Sequence, residues 1–364
     1  MQFYALYASV EEMLAPENLS QLLQTPVKDV QFRSFAGQTG FSSSRLLTVE
    51  TGPGADERFV LKRMKMGTDW TMRASADDRC RSVTLWQHGL LDQLRPAIEH
   101  AIVACCHDGD GWAILMRDIS VGLFRHGQAL SPQTIYSLLD GLAAMHAHFW
   151  QAPELRDPVL GLCDSAGLLQ MFSPLMVAQL EGITTKHPEM LTKGWQILLE
   201  NVAPEVAAIL AQLMANPQPL LTVLNAQPWT LVHGNLQFGN MALLPSEPTQ
   251  PVFFDWQTAG YSSAILDLAW LLDKGKVELS SVTKERAIDY YRGKLEEYLG
   301  NRFDQDAWLS MVEVGWLAHI LRWGCFLAWF SAQQLKDQAH NVNNQFQLKA
   351  LDGKVRAAMK WLST

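Results

Sequence analysis

The sequence predicts an α+β fold: a small antiparallel-sheet region first, and a large helical region after it. Three observations carry this. Short apolar runs bounded by glycine-rich turns gather between Val27 and Met116. Helix-start signals and helical spacing dominate from Ser131 onward. Between them in character lies the stretch Thr230 to Leu272, where the apolar runs Leu231–Val232, Met241–Leu244 and Val252–Phe254 are interrupted by His233, Asn240 and Asp255. Polar side chains at the ends of buried strands are costly unless paired or used. The expected division is a sheet-rich region over 1–116 and a helical region over 117–364, with the boundary near Met116–Ser120 and a helical insert over 151–228.

In chain order, Ser9 with Glu12 forms a capping-box pattern and predicts a helix start, continued by Leu19–Gln24. Val27–Phe35 reads as extended. The turn Gly37 to Ser44, GQTGFSSS, precedes the strand RLLTVE; such a turn can bring backbone N–H groups against phosphate, although most are plain hairpins. A second turn, TGPGADE, leads into the apolar strand Arg58–Lys62. A strand lysine is usually a solvated edge residue, but one that follows a glycine-rich hairpin gains weight as a phosphate contact. A helix is expected over Ala74–Leu94. Ala101–Cys106 and Trp112–Met116 read as two strands joined by HDGDG, and Arg117-Asp118 as a hinge. Ser131-Pro132 opens a helix to Trp150. Within it His146 and His148 lack carboxylate or thiol neighbours in sequence, which favours packing over metal ligation. Prolines at 158, 174, 188, 204, 217 and 219 divide the insert into short helices. Further helices are expected at Thr283–Leu299, Asp306–Gln334 and Phe346–Leu362.

The chemistry-bearing stretch is LVHGNLQFGN followed by FFDWQTAGYSSAILDLAWLL. Its spacing is that of a kinase catalytic loop, in which H-x-D precedes four residues and an Asn, and a second Asp follows on the next hairpin. Asn235 stands where the catalytic Asp belongs. A kinase-like fold also places a Glu on the helix after the strand lysine, yet no Glu occurs between Arg58 and Ile98. Ser82 falls at that position, and Asp78, one turn earlier, is the candidate substitute.

The order of elements, together with these motifs, resembles the aminoglycoside phosphotransferase and choline kinase-like superfamily, most closely its ecdysteroid kinase-like (CHK) branch. The resemblance covers nearly the whole chain. It implies a protein kinase-like bilobal fold that binds ATP and Mg²⁺ in a cleft. Carried over by position, Lys62 contacts the α/β-phosphates and Gly40, Phe41, Ser42 and Ser43 cover the phosphates. The backbone from Met116 to Asp118 holds adenine, and Asn240 and Asp255 bind Mg²⁺. Asp267 braces the catalytic loop, with His233 an orienter within it. Asn235 takes the place of the residue that receives the proton of the attacking hydroxyl. An amide cannot take up that proton at neutral pH. Much of phosphoryl transfer comes from positioning and metal electrostatics, so slow activity can survive this change.

Composition limits the alternatives. The 364 residues are 48% hydrophobic and carry a net charge of −8 without a basic tract, which excludes a nucleic-acid footprint. Five cysteines without a C-x-x-C favour a reducing compartment, hence the cytoplasm, without disulfides or zinc. No signal peptide is expected, and the apolar run Val312–Phe330 is broken by His319 and Arg322, so no membrane span is expected either. Thirteen tryptophans read first as core filling; Trp150, Trp195, Trp229, Trp316 and Trp323 suggest an apolar alcohol as acceptor, since the insert lacks a dense acidic cluster for polycations. Three readings stand: an ATP-dependent phosphotransferase acting on a small-molecule hydroxyl, a catalytically inactive kinase-fold protein (a pseudokinase) that binds a nucleotide or metabolite, and a fold in which every motif residue is bracing.

Overall fold

The computed structural model describes residues 3–35, 44–51, 58–124, 127–179, 187–246, 249–275, 277–334 and 341–362. These residues form two compact units, each drawn from separate parts of the chain. Unit 1 comprises Met1–Arg125, Pro158–Gly161 and Phe238–Gln257; unit 2 comprises His126–Asp157, Leu162–Gln237 and Thr258–Thr364.

In unit 1, helices α1 (Val10–Met13) and α2 (Pro16–Leu23) precede strands β1 (Gln31–Ser34), β2 (Arg45–Glu50) and β3 (Arg58–Met64). Ser9 caps α1 by accepting from Glu12 N at 3.1 Å, as the sequence pattern predicts, while the Glu12 carboxylate accepts from Ala8 N at 2.7 Å, one residue before the cap. Short helices α3 (Trp70–Ala74) and α4 (Arg81–Gln87) follow, then strands β4 (Ile102–Asp108) and β5 (Gly111–Arg117). The five strands make one antiparallel sheet in the order β1-β2-β3-β5-β4. Strand alternation sends Phe59 and Leu61 to a core shared with Met13, Leu19, Leu115 and Ala104. Val60 and Lys62 therefore point to the other face, paired across the ladder with Met116 and Ile114.

The helix expected over Ala74–Leu94 is broken. Ala76 and Cys80 adopt left-handed backbone (φ 49° and 59°). The Asp77 carboxylate then accepts from Arg81 N at 3.1 and 3.0 Å and starts a new, shorter helix. Asp78 lies in the exposed turn before α4, not on a helical face with Ser82.

Unit 2 is mostly helical: α5 (Pro132–His148), α6 (Ser165–Gln170), α7 (Pro174–Gln179), α8 (His187–Asn201), α9 (Pro204–Ala215) and α10 (Gln218–Ala226) precede the short strand β6 (Thr230–Val232). The hairpin β7 (Met241–Leu243) and β8 (Pro251–Phe253) belongs to unit 1, where Ala242 and Val252 pack on Ala101 and Ile119. Strand β9 (Gly260–Ser262) pairs with β6, and α11 (Ile265–Lys274), α12 (Lys284–Leu299), α13 (Gln305–Gln334) and α14 (Asn341–Leu362) complete the chain. Ser131 and Thr283 cap α5 and α12 with their hydroxyls, as their sequence signals predict.

The α+β class is therefore the one expected, a five-stranded antiparallel sheet followed by a mostly helical part. All five cysteines are buried free thiols; burial, with Asp108 nearby, pushes Cys106 up to about 12 and leaves it unreactive at neutral pH. Among the described residues no single helix is long and apolar enough to cross a membrane; one pair, α9 and α10, bent by 81°, passes on length and composition alone.

Candidate active site

Unit 1 brings together Lys62 and Asp255, which are 193 positions apart in sequence. Lys62 is buried on β3, and its ammonium donates to Asp255 Oδ1 at 2.7 Å. A buried lysine is stable only when its charge is matched and its donors are used. Asp255 follows β8 in left-handed backbone, φ 66°, a conformation aspartate tolerates better than most residues. Its side chain keeps about a third of its exposure (31%), and its second oxygen bonds to no described residue. Asn240 precedes β7 on the same hairpin; its carbonyl accepts from Phe254 N at 3.1 Å, which fixes the spacing between the Asn240 and Asp255 segments.

Lys62 and Asp255 also line a small cavity with Ser82, Ile114, Met116 and Trp256. Its volume is ≈ 10 Å³, room for about one water. Ser82 is buried, and its hydroxyl has no hydrogen-bond partner among the described residues. Main-chain groups of the expected adenine segment are partly used: Asp118 N donates to Arg58 O at 2.9 Å, and Met116 pairs with Val60 in the sheet. Gly40, Phe41, Ser42 and Ser43 lie outside the described residues.

Unit 2 holds the loop after β6. Asp267, in the first turn of α11, is 1% exposed and accepts from the backbone N–H of His233 at 2.7 Å and of Gly234 at 2.8 Å. Burial opposes its ionisation, but the adjoining His146 ring at 3.5 Å, the His233 ring and the Gly234 N–H outweigh it, and its pKa lies below the usual carboxylate range. Asp267 is thus the brace the resemblance implies. His146 is fully buried, with Nδ1 2.6 Å from Tyr291 Oη and its carbonyl accepting from Thr230 Oγ1 at 2.7 Å; it packs behind the brace and is not a metal ligand set. Gly234 has φ 79°, and a Cβ there would lie 2.1 Å from the Thr258 carbonyl oxygen, so only glycine fits.

Asn235 Oδ1 accepts from Trp270 Nε1 at 3.0 Å. Indole is a donor only, so this bond sets the amide orientation and turns the Nδ2 group the other way. Trp270 itself stacks on Trp323, with ring centroids 4.1 Å apart. The other tryptophans singled out are differently placed: Trp229 carries Arg156 over its ring at 4.2 Å, Trp316 lies between Lys284 and Lys354, and Trp195 donates to the Phe172 carbonyl.

Three further residues around Lys62 were not singled out from sequence: Gln257, Asp69 and Arg81. Gln257 stands two positions after Asp255 in the motif, which was the available signal; Asp69 and Arg81 have none, because their roles depend on partners far along the chain.

The phosphotransferase enzyme family matches residues 37–309, more than half of the chain. No protein of curated function matches. Among solved structures the chain is similar to choline kinase LicA from Streptococcus pneumoniae (13% identity, 97% of this chain and 98% of that one, TM-score 0.47). It is also similar to aminoglycoside phosphotransferase APH(3'')-Id from Streptomyces rimosus, in complex with ADP and streptomycin (15%, 85% and 100%, TM-score 0.45). A third is the GDP complex of aminoglycoside 2'-phosphotransferase-IIIa (12%, 93% and 96%, TM-score 0.48).

Proposed function

The chain belongs to the phosphotransferase enzyme family, and on that premise we propose that it transfers the γ-phosphoryl group of ATP to a hydroxyl of a small molecule. The observation that carries this reading is the 2.7 Å pair between buried Lys62 and partly exposed Asp255, on the strand and hairpin that the family motif names. Lys62 is the phosphate contact. Asn240 and Asp255 are the metal ligands: an amide oxygen and a carboxylate are hard donors of the kind Mg²⁺ takes. Among the described residues no cluster of three or more His, Cys, Asp or Glu could form a closed metal cage. Mg²⁺ does not need one, since it is usually held by one or two protein oxygens together with substrate phosphates and water. When bound, the ion neutralises charge on the transferring phosphate. Asp267 holds the loop through His233 and Gly234, which sets where residue 235 sits.

The acceptor is proposed to be a relatively apolar alcohol, as in the ecdysteroid kinase-like branch. The motif LVHGNLQFGN supports the branch. The buried thiols suit a reducing compartment, and we place the protein in the cytoplasm.

One observation favours a second reading, that of a pseudokinase. The Trp270 N–H fixes Asn235 with its oxygen committed, and the other terminal atom is an amide nitrogen that donates and cannot act as a base. The phosphotransferase and a nucleotide-binding pseudokinase both require nucleotide binding. Millimolar ATP with Mg²⁺ should raise the melting temperature, since ligand that binds only the native state stabilises it. Asp255→Ala should abolish the Mg²⁺-dependent part of that rise. No rise under any condition ends the phosphotransferase and the nucleotide-binding pseudokinase, and favours the motif residues as bracing.

A further inference from the structure

An ammonium group removed from water has three donors to satisfy, so Lys62 needs more than Asp255. Helix α4 supplies no carboxylate: position 82 is a serine whose hydroxyl has no partner among the described residues, and Asp78 is outside the helix and exposed. The second acceptor is Gln257, whose Oε1 lies 3.0 Å from Lys62 Nζ. Gln257 Nε2 in turn donates to Asp69 Oδ2 at 3.3 Å. The amide must be oriented this way. Lysine only donates and an ionised carboxylate only accepts, so oxygen faces one and nitrogen the other.

Asp69 is buried (1% exposed) and itself fixed. Its Oδ1 caps α3 by accepting from Met72 N at 3.0 Å, and Ser44 Oγ donates to its Oδ2 at 3.2 Å. The main chain of Gln257 is held as well, its carbonyl accepting from Arg81 Nη1 at 3.2 Å. Arg81 is pinned in turn by the carbonyls of Ser75 and Gly161, each at 2.6 Å. Gln257 is thus held at its carbonyl and at Nε2, and its Oε1 is spent on the lysine.

We infer that Gln257, backed by Asp69, is the positioning residue that anchors Lys62 in place of the carboxylate missing from α4. The inference rests on the proposed reading of Lys62 as the phosphate contact. The orienting negative charge sits one residue removed, on Asp69, and acts through the aligned amide. The arrangement has a consequence for Asp255. A carboxylate that serves a cation is a weaker partner for Lys62, and the Gln257 contact persists.

The test begins on ligand-free protein. Urea unfolding compares the parent, Lys62→Met, Gln257→Leu and the double variant. The double loss should be smaller than the sum of the single losses, because the second change removes a contact already broken. Additive losses overturn the anchor. An exchange then tests the relay. Gln257→Glu alone opposes two carboxylates and should lower the urea midpoint. Adding Asp69→Asn should restore most of it, since Asn still caps α3 and now offers its amide to the new carboxylate. No recovery overturns the role of Asp69. The functional arm is ATP affinity with Mg²⁺. Gln257→Leu should weaken it about tenfold or more, the worth of a hydrogen bond to a charged group, and the exchanged pair should bind more tightly than Gln257→Glu alone. Unchanged affinity in Gln257→Leu overturns the positioning role. A parent that binds no nucleotide overturns the proposed function instead, and the unfolding cycle still decides the anchor.

Discussion

Asp267 and Asp255 are both motif carboxylates, and the protein uses them in opposite ways. Asp267 is sealed at 1% exposure, with both oxygens committed to backbone N–H groups. Asp255 is about a third exposed, sits in left-handed backbone, and has one oxygen on Lys62. A buried carboxylate with both oxygens held by main-chain donors can only hold shape. One with an uncommitted, solvent-reached oxygen can exchange its partner for a cation. The difference teaches which motif residues survive as structure when chemistry changes: Asp267 must stay whatever residue 235 does, because two buried donors depend on it.

That claim makes the largest prediction. Asp267→Ala should cost about 3–5 kcal/mol in urea unfolding at pH 7, the penalty for removing one partner from a buried charged network. The folded pKa of Asp267 is lowered, so its contribution is present above the unfolded value of about 3.9 and is lost as pH falls through the folded value. The gap between parent and variant should therefore narrow below about pH 4. Asp255→Ala, tested the same way without ligand, should cost less, because Gln257 still accepts from Lys62. Equal costs for the two would break the comparison.

Asn235 gives the next effect. Asn235→Asp is nearly isosteric, and the Trp270 N–H can donate to a carboxylate as well as to the amide oxygen. Stability should hardly change. Single-turnover ATP consumption, with a panel of alcohols at matched Mg²⁺, should rise about 10²-fold if base catalysis limits the rate. Equal background rates in both forms, despite ATP binding, decide for the pseudokinase.

Much of this was legible in sequence where the determinants are local. Ser9, Ser131 and Thr283 announce their helices because a cap needs only the next three residues. Asp267 was legible because motif spacing records its place against the loop it holds. The helix placed over 74–94 failed because Asp77 can cap as well as continue, and only the left-handed Ala76 and Cys80 reveal which it does. The motif marks the position of Gln257 but not its role, and nothing marks Asp69, because their meaning lies in contacts spanning 195 and 188 positions. No local pattern encodes such pairs.

The smallest prediction extends the comparison to Asp273, at the far end of α11 from Asp267. Two lysines and an imidazole crowd it: Lys284 at 2.5 Å, Lys354 at 3.5 Å and His319, whose pKa burial lowers, at 3.1 Å. Lys354 also lies 3.3 Å over the Trp316 ring. Burial, with the Lys284 charge adding to it, lowers Lys354 to about 7 despite Asp273. An unfolded lysine titrates near 10.4. Between about pH 7 and 10 the unfolded chain therefore binds a proton that the folded protein lacks, so this group makes stability rise with pH across that window. Below about 7 both states are charged, and the folded protein bears the full cost of the buried ammonium. Lys354→Met keeps the stem on Trp316 and removes the charge. It should stabilise the protein at pH 6 by about 1 kcal/mol, less than a fully buried pair would give because the lysine keeps some solvent. The gain should shrink as pH rises from 7 towards 10. If the parent is instead the more stable at pH 6, Asp273 needs both lysines, and structural carboxylates here are distinguished by the charge around them and not by committed backbone donors.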